Sequence, residues 1–243
     1  MKTLSSQLIY KRIILKISGE LLTGNQNFGI DVTILKNLAQ DIKKIVKLGV
    51  EISIVIGGGN LFRGESLEKN GIKRVFGDHI GMLSTLINGL AIYDIFNAYD
   101  INVFLMSAIP YNNVCETYNC IKAIKLLNDK NVLVLSGGIG NPFFTTDSTA
   151  CLRAIELEAD VVIKATKVDG VFSNDPVKKK SNTFFYKKLS YQKALDLNLK
   201  VMDLTAFILA RDYCMPIIIF NMYKPEVLYK ILIGEKEGTL ITN

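Results

Sequence analysis

Lys16 lies near the end of an apolar stretch, Arg12–Ile17 (RIILKI), which is followed at once by Ser18 and Gly19. An ammonium group in a buried strand is costly unless it meets a counter-charge. Lys16 therefore either faces solvent or meets an anion at a ligand site, and Gly19, where bare backbone could approach that anion, favours the second reading. A second stretch, Glu51–Gly64 (EISIVIGGGNLFRG), sets Gly57, Gly58 and Gly59 after an apolar run and Arg63 a little further on. Glycines at the carboxyl end of a strand let backbone amides reach a ligand with no Cβ in the way. The guanidinium adds a planar donor fork suited to phosphate or carboxylate oxygens. A third loop, Ser136–Asp147 (SGGIGNPFFTTD), combines glycines with two aromatic rings and two threonine hydroxyls. Such a loop could hold a planar ring and its polar edge; it also reads as a turn with a Thr/Asp cap on the next helix, and a capped helix start attracts anions.

Other chemistries lack their residues. The closest approach to a P-loop, Gly59–Gly64, is followed by Glu65 where lysine is required, and no GxGxxG fingerprint is present. A single histidine, His79, and no GxSxG argue against a serine hydrolase; a capping or packing role at a helix start suits His79 better than catalysis. Cys115, Cys120, Cys151 and Cys214 form no CxxC pair and have no neighbouring histidine, which argues against structural zinc and a disulfide framework and points to reduced thiols in a cytosolic protein. What remains is a set of glycine-tipped strands with one lysine, one arginine and several aspartates. That set suits phosphoryl transfer, in which a protein mainly positions two anions and neutralises their charge.

The elements that would position these groups follow an α/β order. From Asp31 to Leu48, Ile34, Leu35, Leu38, Ile42, Ile45 and Val46 recur at helical spacing, with Asp31 as N-cap and Gly49 as stop. Strands at Arg12–Ile17 and Glu51–Ile56 flank this helix, a βαβ unit that implies a parallel sheet. Gly77–Tyr99, opened by Asp78, is a second long helix, apolar around much of its circumference and so covered on two sides, by the sheet and by either its own subunit or a second one. Further strands are predicted at Asn102–Leu105, Val132–Leu135, Asp160–Ala165, Pro216–Phe220 and Thr239–Ile241, with helices at Thr117–Asn128, Ser148–Leu157, Leu204–Tyr213 and from Pro225. At 243 residues the chain forms one large domain or two intimate lobes dividing near residue 150. Its net charge of +6 is a mild excess without a basic, aromatic-interleaved stripe; nucleic acid is not an expected partner, and the run Lys178–Lys180 reads as solvated loop. No long apolar N-terminal segment announces a membrane span.

Taken in order, KISGE at Lys16–Glu20, GGGNLFRG at Gly57–Gly64, GDHIGM at Gly77–Met82, GNPFFTTD at Gly140–Asp147, ATKVDGVFSNDP at Ala165–Pro176 and VMDLTAF at Val201–Phe207 span the chain. With these segments it resembles the bacterial UMP kinases of the amino acid kinase family. The resemblance implies a three-layer αβα sandwich around a mostly parallel sheet, with an acceptor and oligomerisation lobe at about residues 1–150 and an ATP lobe at about 151–243. It implies Mg²⁺-dependent transfer from ATP to UMP, with Lys16, Arg63 and Asp203 as the catalytic residues. The ATP site would comprise Lys16, Ile17, Ser18, Gly19, Gly59, Arg63, Thr166, Phe172 and Asp175. The UMP site would comprise Gly58, Asp78 on the ribose, and Ile139, Gly140, Asn141, Pro142, Phe143, Phe144, Thr145 and Thr146 around the base and sugar. The loop Gly24, Asn25, Gln26, Asn27, Phe28 and Gly29 matches a segment tied to GTP activation in homohexameric relatives, with UTP as inhibitor. Relatives place GTP-contacting arginines where this chain has Val103, Phe104 and Asn131. Two rivals remain: a carboxylate or carbamate kinase of the same fold, and a nucleotide-binding regulator that has lost the chemistry.

Overall fold

β1 (Arg12–Ile17) and β2 (Glu51–Ile56) are near-continuous apolar runs because both of their faces are covered. The computed structural model describes residues 8–174, 183–197, 199 and 201–243. Between these strands lies α1 (Val32–Val46), capped by Asp31, whose carboxylate accepts the Thr33 amide at 2.8 Å. α1 buries Leu35, Leu38, Ala39, Ile42 and Ile45 on one stripe; truncating Ile42 to alanine there would cost ~2–5 kcal/mol. α2 (Gly64–Lys69) and α3 (Arg74–Ala98) follow. Helix α3 begins earlier than its sequence pattern predicts: Asp78 lies in its second turn and is not its cap, because its carboxylate is engaged by Arg74 one turn back, at 3.0 Å. His79 is exposed there rather than packed.

The chain continues through β3 (Val103–Ser107), β4 (Glu116–Thr117), α4 (Cys120–Asn128), β5 (Val132–Ser136), α5 (Thr146–Glu156), β6 (Val161–Thr166), β7 (Val171–Phe172), β8 (Phe185–Tyr186), β9 (Lys188–Ser190), α6 (Tyr191–Asp196), α7 (Leu204–Asp212), β10 (Ile217–Asn221), α8 (Val227–Leu232) and β11 (Thr239–Thr242). Among the described residues nine strands form one sheet in the order β4-β3-β5-β2-β1-β6-β10-β11-β9, parallel except for the β10–β11 pair; β7 and β8 make a separate hairpin. Alternation along the strands divides the core in two. Ile13, Leu15, Ile17, Ile52 and Ile54 face α1, α3 and α8, while Ile14, Val55 and Val162 face α4, α5, α6 and α7. This is an αβα sandwich with a mostly parallel central sheet, and the strand order reverses about β1, where crevices for ligands open at the carboxyl ends of strands.

Candidate active site

Lys16 and Lys164 are register partners on the adjacent parallel strands β1 and β6. Each follows the α5-facing alternation of its strand, so the pleat sets two ammonium groups side by side on one face. Both are almost fully buried. Such a pair needs a shared counter-charge, and Asp147 in the first turn of α5 supplies it: Lys16 Nζ lies 2.7 Å from Oδ1 and Lys164 Nζ 2.6 Å from Oδ2. Burial pushes the Asp147 carboxyl up, but the two ammonium groups outweigh it and hold the group below the ordinary range. Burial also makes Lys164 easier to deprotonate than a free lysine; Asp147 opposes this and Lys16 adds to it. Lys164 also donates to the Val201 carbonyl, and Lys16 reaches Ser18 Oγ at 3.1 Å.

Thr145 caps α5 by accepting the Asp147 amide at 3.0 Å and donates its own hydroxyl to Asp203. Asp203 in turn caps α7, accepting the Ala206 amide at 2.7 Å, and accepts Ser148 Oγ at 2.8 Å. The N-termini of α5 and α7 thus point at one place and bring positive dipole ends to it. The carboxylate beside Lys16 is Asp147, not Asp203, which stands one hydroxyl away. Lys16, Thr145, Thr146, Asp147, Lys164, Met202 and Asp203 line a cavity of 320 Å³.

Thr145 and Thr146 are also walls of a second cavity, of 260 Å³, lined by Gly58, Gly59, Arg63, Arg74, Asp78, Asn141 and Phe144 among others. The two chambers therefore adjoin. Gly58 packs so closely on α3 that a Cβ would fall 2.7 Å from the Gly81 carbonyl oxygen and from Ser84 Cβ, and at Gly19 a Cβ would meet the Gly59 amide nitrogen at 2.7 Å. Only glycine fits either place, and the turn after Lys16 abuts the triple-glycine turn. Arg63 pairs with Glu20 at the mouth. Asp78 is held by Arg74 and accepts the Phe143 amide at 2.9 Å. That last bond secures Phe143 at a φ of +72°, a left-handed conformation costing a non-glycine residue ~1–2 kcal/mol.

The comparisons with known proteins agree along most of the chain. A family model described as the amino acid kinase family matches residues 11–221. This chain belongs to the amino acid kinase family. A uridylate kinase of Salmonella typhimurium is 59% identical to it over 234 residues, covering 96% of this chain and 97% of the relative; one of Klebsiella pneumoniae is 58% identical over the same shares. Among solved structures, a UMP kinase from Bacillus anthracis superposes with a TM-score of 0.92 at 41% identity, covering 96% of each chain. One from Ureaplasma parvum gives 0.89 at 35%, covering 96% of this chain and 99% of that one.

In this amino acid kinase the remaining predicted residues divide by position. Ile17 points into the α1-side core, so only its backbone could serve a nucleotide. Thr166 closes β6, its hydroxyl set between the carbonyl oxygens of Val168 at 2.7 Å and Phe220 at 3.0 Å, to one of which it donates. Phe172 packs on Phe185 in the β7–β8 hairpin, with ring centroids 5.3 Å apart. Asp175 lies outside the described residues, as does the run Lys178–Lys180. Ile139, Gly140 and Pro142 belong to the loop above the second chamber without lining it. Gly24–Gly29 is a separate loop, tied to the second chamber by the edge-on contact of Phe28 with Phe62, centroids 6.3 Å apart. Sequence reasoning missed Asp147 and Lys164 as site residues, and Arg74 as the partner of Asp78. Lys164 carried a readable signal, a second lysine inside an apolar strand like that of Lys16; the pairing of Asp147 with both did not.

Proposed function

We propose that this chain is a UMP kinase, transferring the γ-phosphoryl group of ATP to UMP to give ADP and UDP. The observation that carries the reading is the pair of adjoining chambers: one lined by two buried ammonium groups over a single carboxylate, the other by glycine backbone, Arg63 and a fixed aspartate. The first suits a triphosphate and the second a nucleoside monophosphate, with their phosphates meeting at Thr145 and Thr146. The names of the relatives support it.

No catalytic base is required. The UMP phosphate, with a second pKa of ~6, is mostly a dianion near neutrality, and one of its oxygens attacks the γ-phosphorus in line. The new P–O bond forms as the bond from the γ-phosphorus to the β,γ-bridging oxygen breaks, and ADP departs with that electron pair. Lys16 and Lys164 offset the charge on the transferring group and on the leaving oxygen, Arg63 steadies the acceptor phosphate, and Gly19, Gly58 and Gly59 contribute amides. Asp203 and Ser18 order the phosphate environment. Asp78 takes the ribose hydroxyls, Asn141, Phe144, Thr145 and Thr146 enclose uracil and sugar, with the rest of Ile139–Thr146 holding that loop in place, and Thr166 and Phe172 flank the adenine nucleotide.

Among the described residues no group of three or more His, Cys, Asp or Glu side chains could cage a metal, and Asp147 is occupied by two lysines. The donor set therefore fits a magnesium ion carried in on the nucleotide phosphates, with Asp203 the carboxylate that would help hold it. When bound, the ion supplies further neutralisation of phosphate charge. Residues 1–150 form the acceptor and assembly lobe and 151–243 the ATP lobe of a cytoplasmic enzyme of pyrimidine nucleotide synthesis. The outward face of α3, with exposed Phe76, Leu83, Ile87 and Tyr93, suits burial between subunits of a hexamer. GTP activates through the Gly24–Gly29 loop and UTP inhibits.

ADP release measured with UMP, CMP, dUMP, acetylglutamate, aspartate and carbamate, with and without GTP, tests the reading. UMP is expected to be turned over well ahead of all the others. Preference for a carboxylate would replace this assignment with that of an acyl-phosphate-forming relative, and binding of UMP and ATP without turnover would make the protein a nucleotide sensor.

A further inference from the structure

Beneath the two glycine turns lies a buried pair of amide side chains, Asn60 and Asn88, at 2% and 0% exposure. Asn60 Nδ2 donates to Asn88 Oδ1 at 2.9 Å, and Asn88 Nδ2 donates back to Asn60 Oδ1 at 2.7 Å. Each amide nitrogen spends its second hydrogen on a carbonyl: Asn60 on Gly29 at 2.9 Å, Asn88 on Gly57 at 2.7 Å. The Asn60 backbone carbonyl accepts the Gly29 backbone amide at 3.1 Å, closing a reciprocal clamp on the end of the Gly24–Gly29 loop. A Cβ on Gly19 would lie 2.5 Å from Asn60 Oδ1 and 2.9 Å from the Gly57 oxygen. One amide dimer thus joins α3, the Gly24–Gly29 loop and the turns after β1 and β2.

Building on the UMP kinase reading, we infer that Asn60 and Asn88 are positioning residues that aim the Gly58 and Gly59 amides at the transferring phosphates. The peptide unit is planar and trans. Drawing the Gly57 carbonyl toward Asn88 therefore turns the Gly58 N–H, in the same unit, away from Asn88, and Gly58 lines the acceptor chamber. Without that anchor the glycine turn, free of Cβ restraint, has many other conformations. Asparagine is needed at both places: each side chain must donate twice and accept once. Aspartate has the same shape but donates nothing when ionised, and it would set a carboxylate against the Gly57 oxygen. Aliphatic replacement leaves Gly57 and the partner amide unpaired in the core.

The test begins with turnover of UMP by the wild type; failure at that step overturns the functional reading and leaves the pair to the second arm. That arm is hydrogen exchange of the 57–64 segment in the ligand-free protein. Asn88→Asp and Asn60→Asp are compared with Leu127→Ala, which opens the core on the opposite face of the sheet, far from the glycine turns. At temperatures where all are folded, the asparagine variants are expected to lose kcat by ~10²-fold, the scale of a small misplacement of reacting groups. Their KM for ATP should stay within threefold, and the 57–64 amides should exchange faster, while Leu127→Ala loses melting temperature but keeps kcat. Should the Asp variants fail to fold, Asn88→Ser takes their place. A kcat within threefold of wild type in a folded Asn88 variant, an equal loss in Leu127→Ala, unchanged exchange at 57–64, or failure of every Asn88 variant to fold would each overturn the proposal.

Discussion

Asp147→Asn removes the one negative charge that sits between two buried ammonium groups. In the folded protein Lys16 and Lys164 are 5% and 8% exposed and Asp147 is 8% exposed, so water cannot replace the lost partner. Stripping one member from a buried ion pair costs ~3–5 kcal/mol, and two unit charges ~5 Å apart at an effective dielectric of ~20 repel by a further ~3 kcal/mol. Loss of the Lys164 proton relieves part of that repulsion, since burial already loosens it. A net loss near ~4 kcal/mol remains, equivalent for a chain of this size to ~8–16 °C in melting temperature. The pH dependence has a definite sign. Asp147 is held below the ordinary aspartate value, so its contribution is complete above pH ~4 and lost as the pH falls through its folded value. The variant should therefore show a flatter acid limb than the wild type, and a stability that climbs more steeply with pH toward the range of a free lysine. Thermal melts from pH 2 to 10, read by circular dichroism, together with turnover at pH 7.5, test all of this. A melting temperature within ~2 °C of wild type, or an acid limb of unchanged slope, would refute the charge-sharing account.

Four further outcomes are expected. Lys16→Ala should keep the fold, because Asp147 retains Lys164, yet lose turnover by ~10²–10³-fold; near-normal turnover in the purified variant would remove Lys16 from the chemistry. Asp78→Asn should raise KM for UMP far more than for dUMP, compressing the ribose preference in steady-state assays, and Arg74→Met should do the same more weakly by freeing Asp78. Ile87→Glu, on the exposed stripe of α3, should lower the oligomeric state seen by light scattering while circular dichroism is unchanged. Glu51→Gln should cost ~2 kcal/mol, some ~4–8 °C, without touching kcat. Glu51 takes hydrogen bonds from Arg12 and Lys130, both at 2.6 Å, at the amino ends of β1 and β2, away from the crevice. These bonds, against the upward push of burial, hold its carboxyl below the usual range, so that increment should vanish as the pH falls below ~4.

Elements whose formation is local were legible in the chain. β1 and β2 occupy the very residues that their apolar runs mark, and Asp31 and Thr145 cap helices as their side-chain chemistry favours. The short pieces were not: α2, α6, β4 and β9 each have six residues or fewer, too few to establish a period. Asp78 looked like a helix start because aspartate is a good cap; it lies inside the helix because Arg74 is spaced to meet it one turn away. Arg74 itself reads in sequence as one more surface cation.

By itself the sequence determined which residue types are present for phosphoryl transfer, that glycines end the strands, and which family the chain joins, since those are matters of residue type and local period. Tertiary structure alone decided the electrostatics. The β1–β6 register places Lys16 beside Lys164, and only the folding of α5 across that face brings Asp147 between them. No spacing in the chain encodes that meeting, because strand register is set by how buried faces pack across the sheet, over contacts separated by more than a hundred residues.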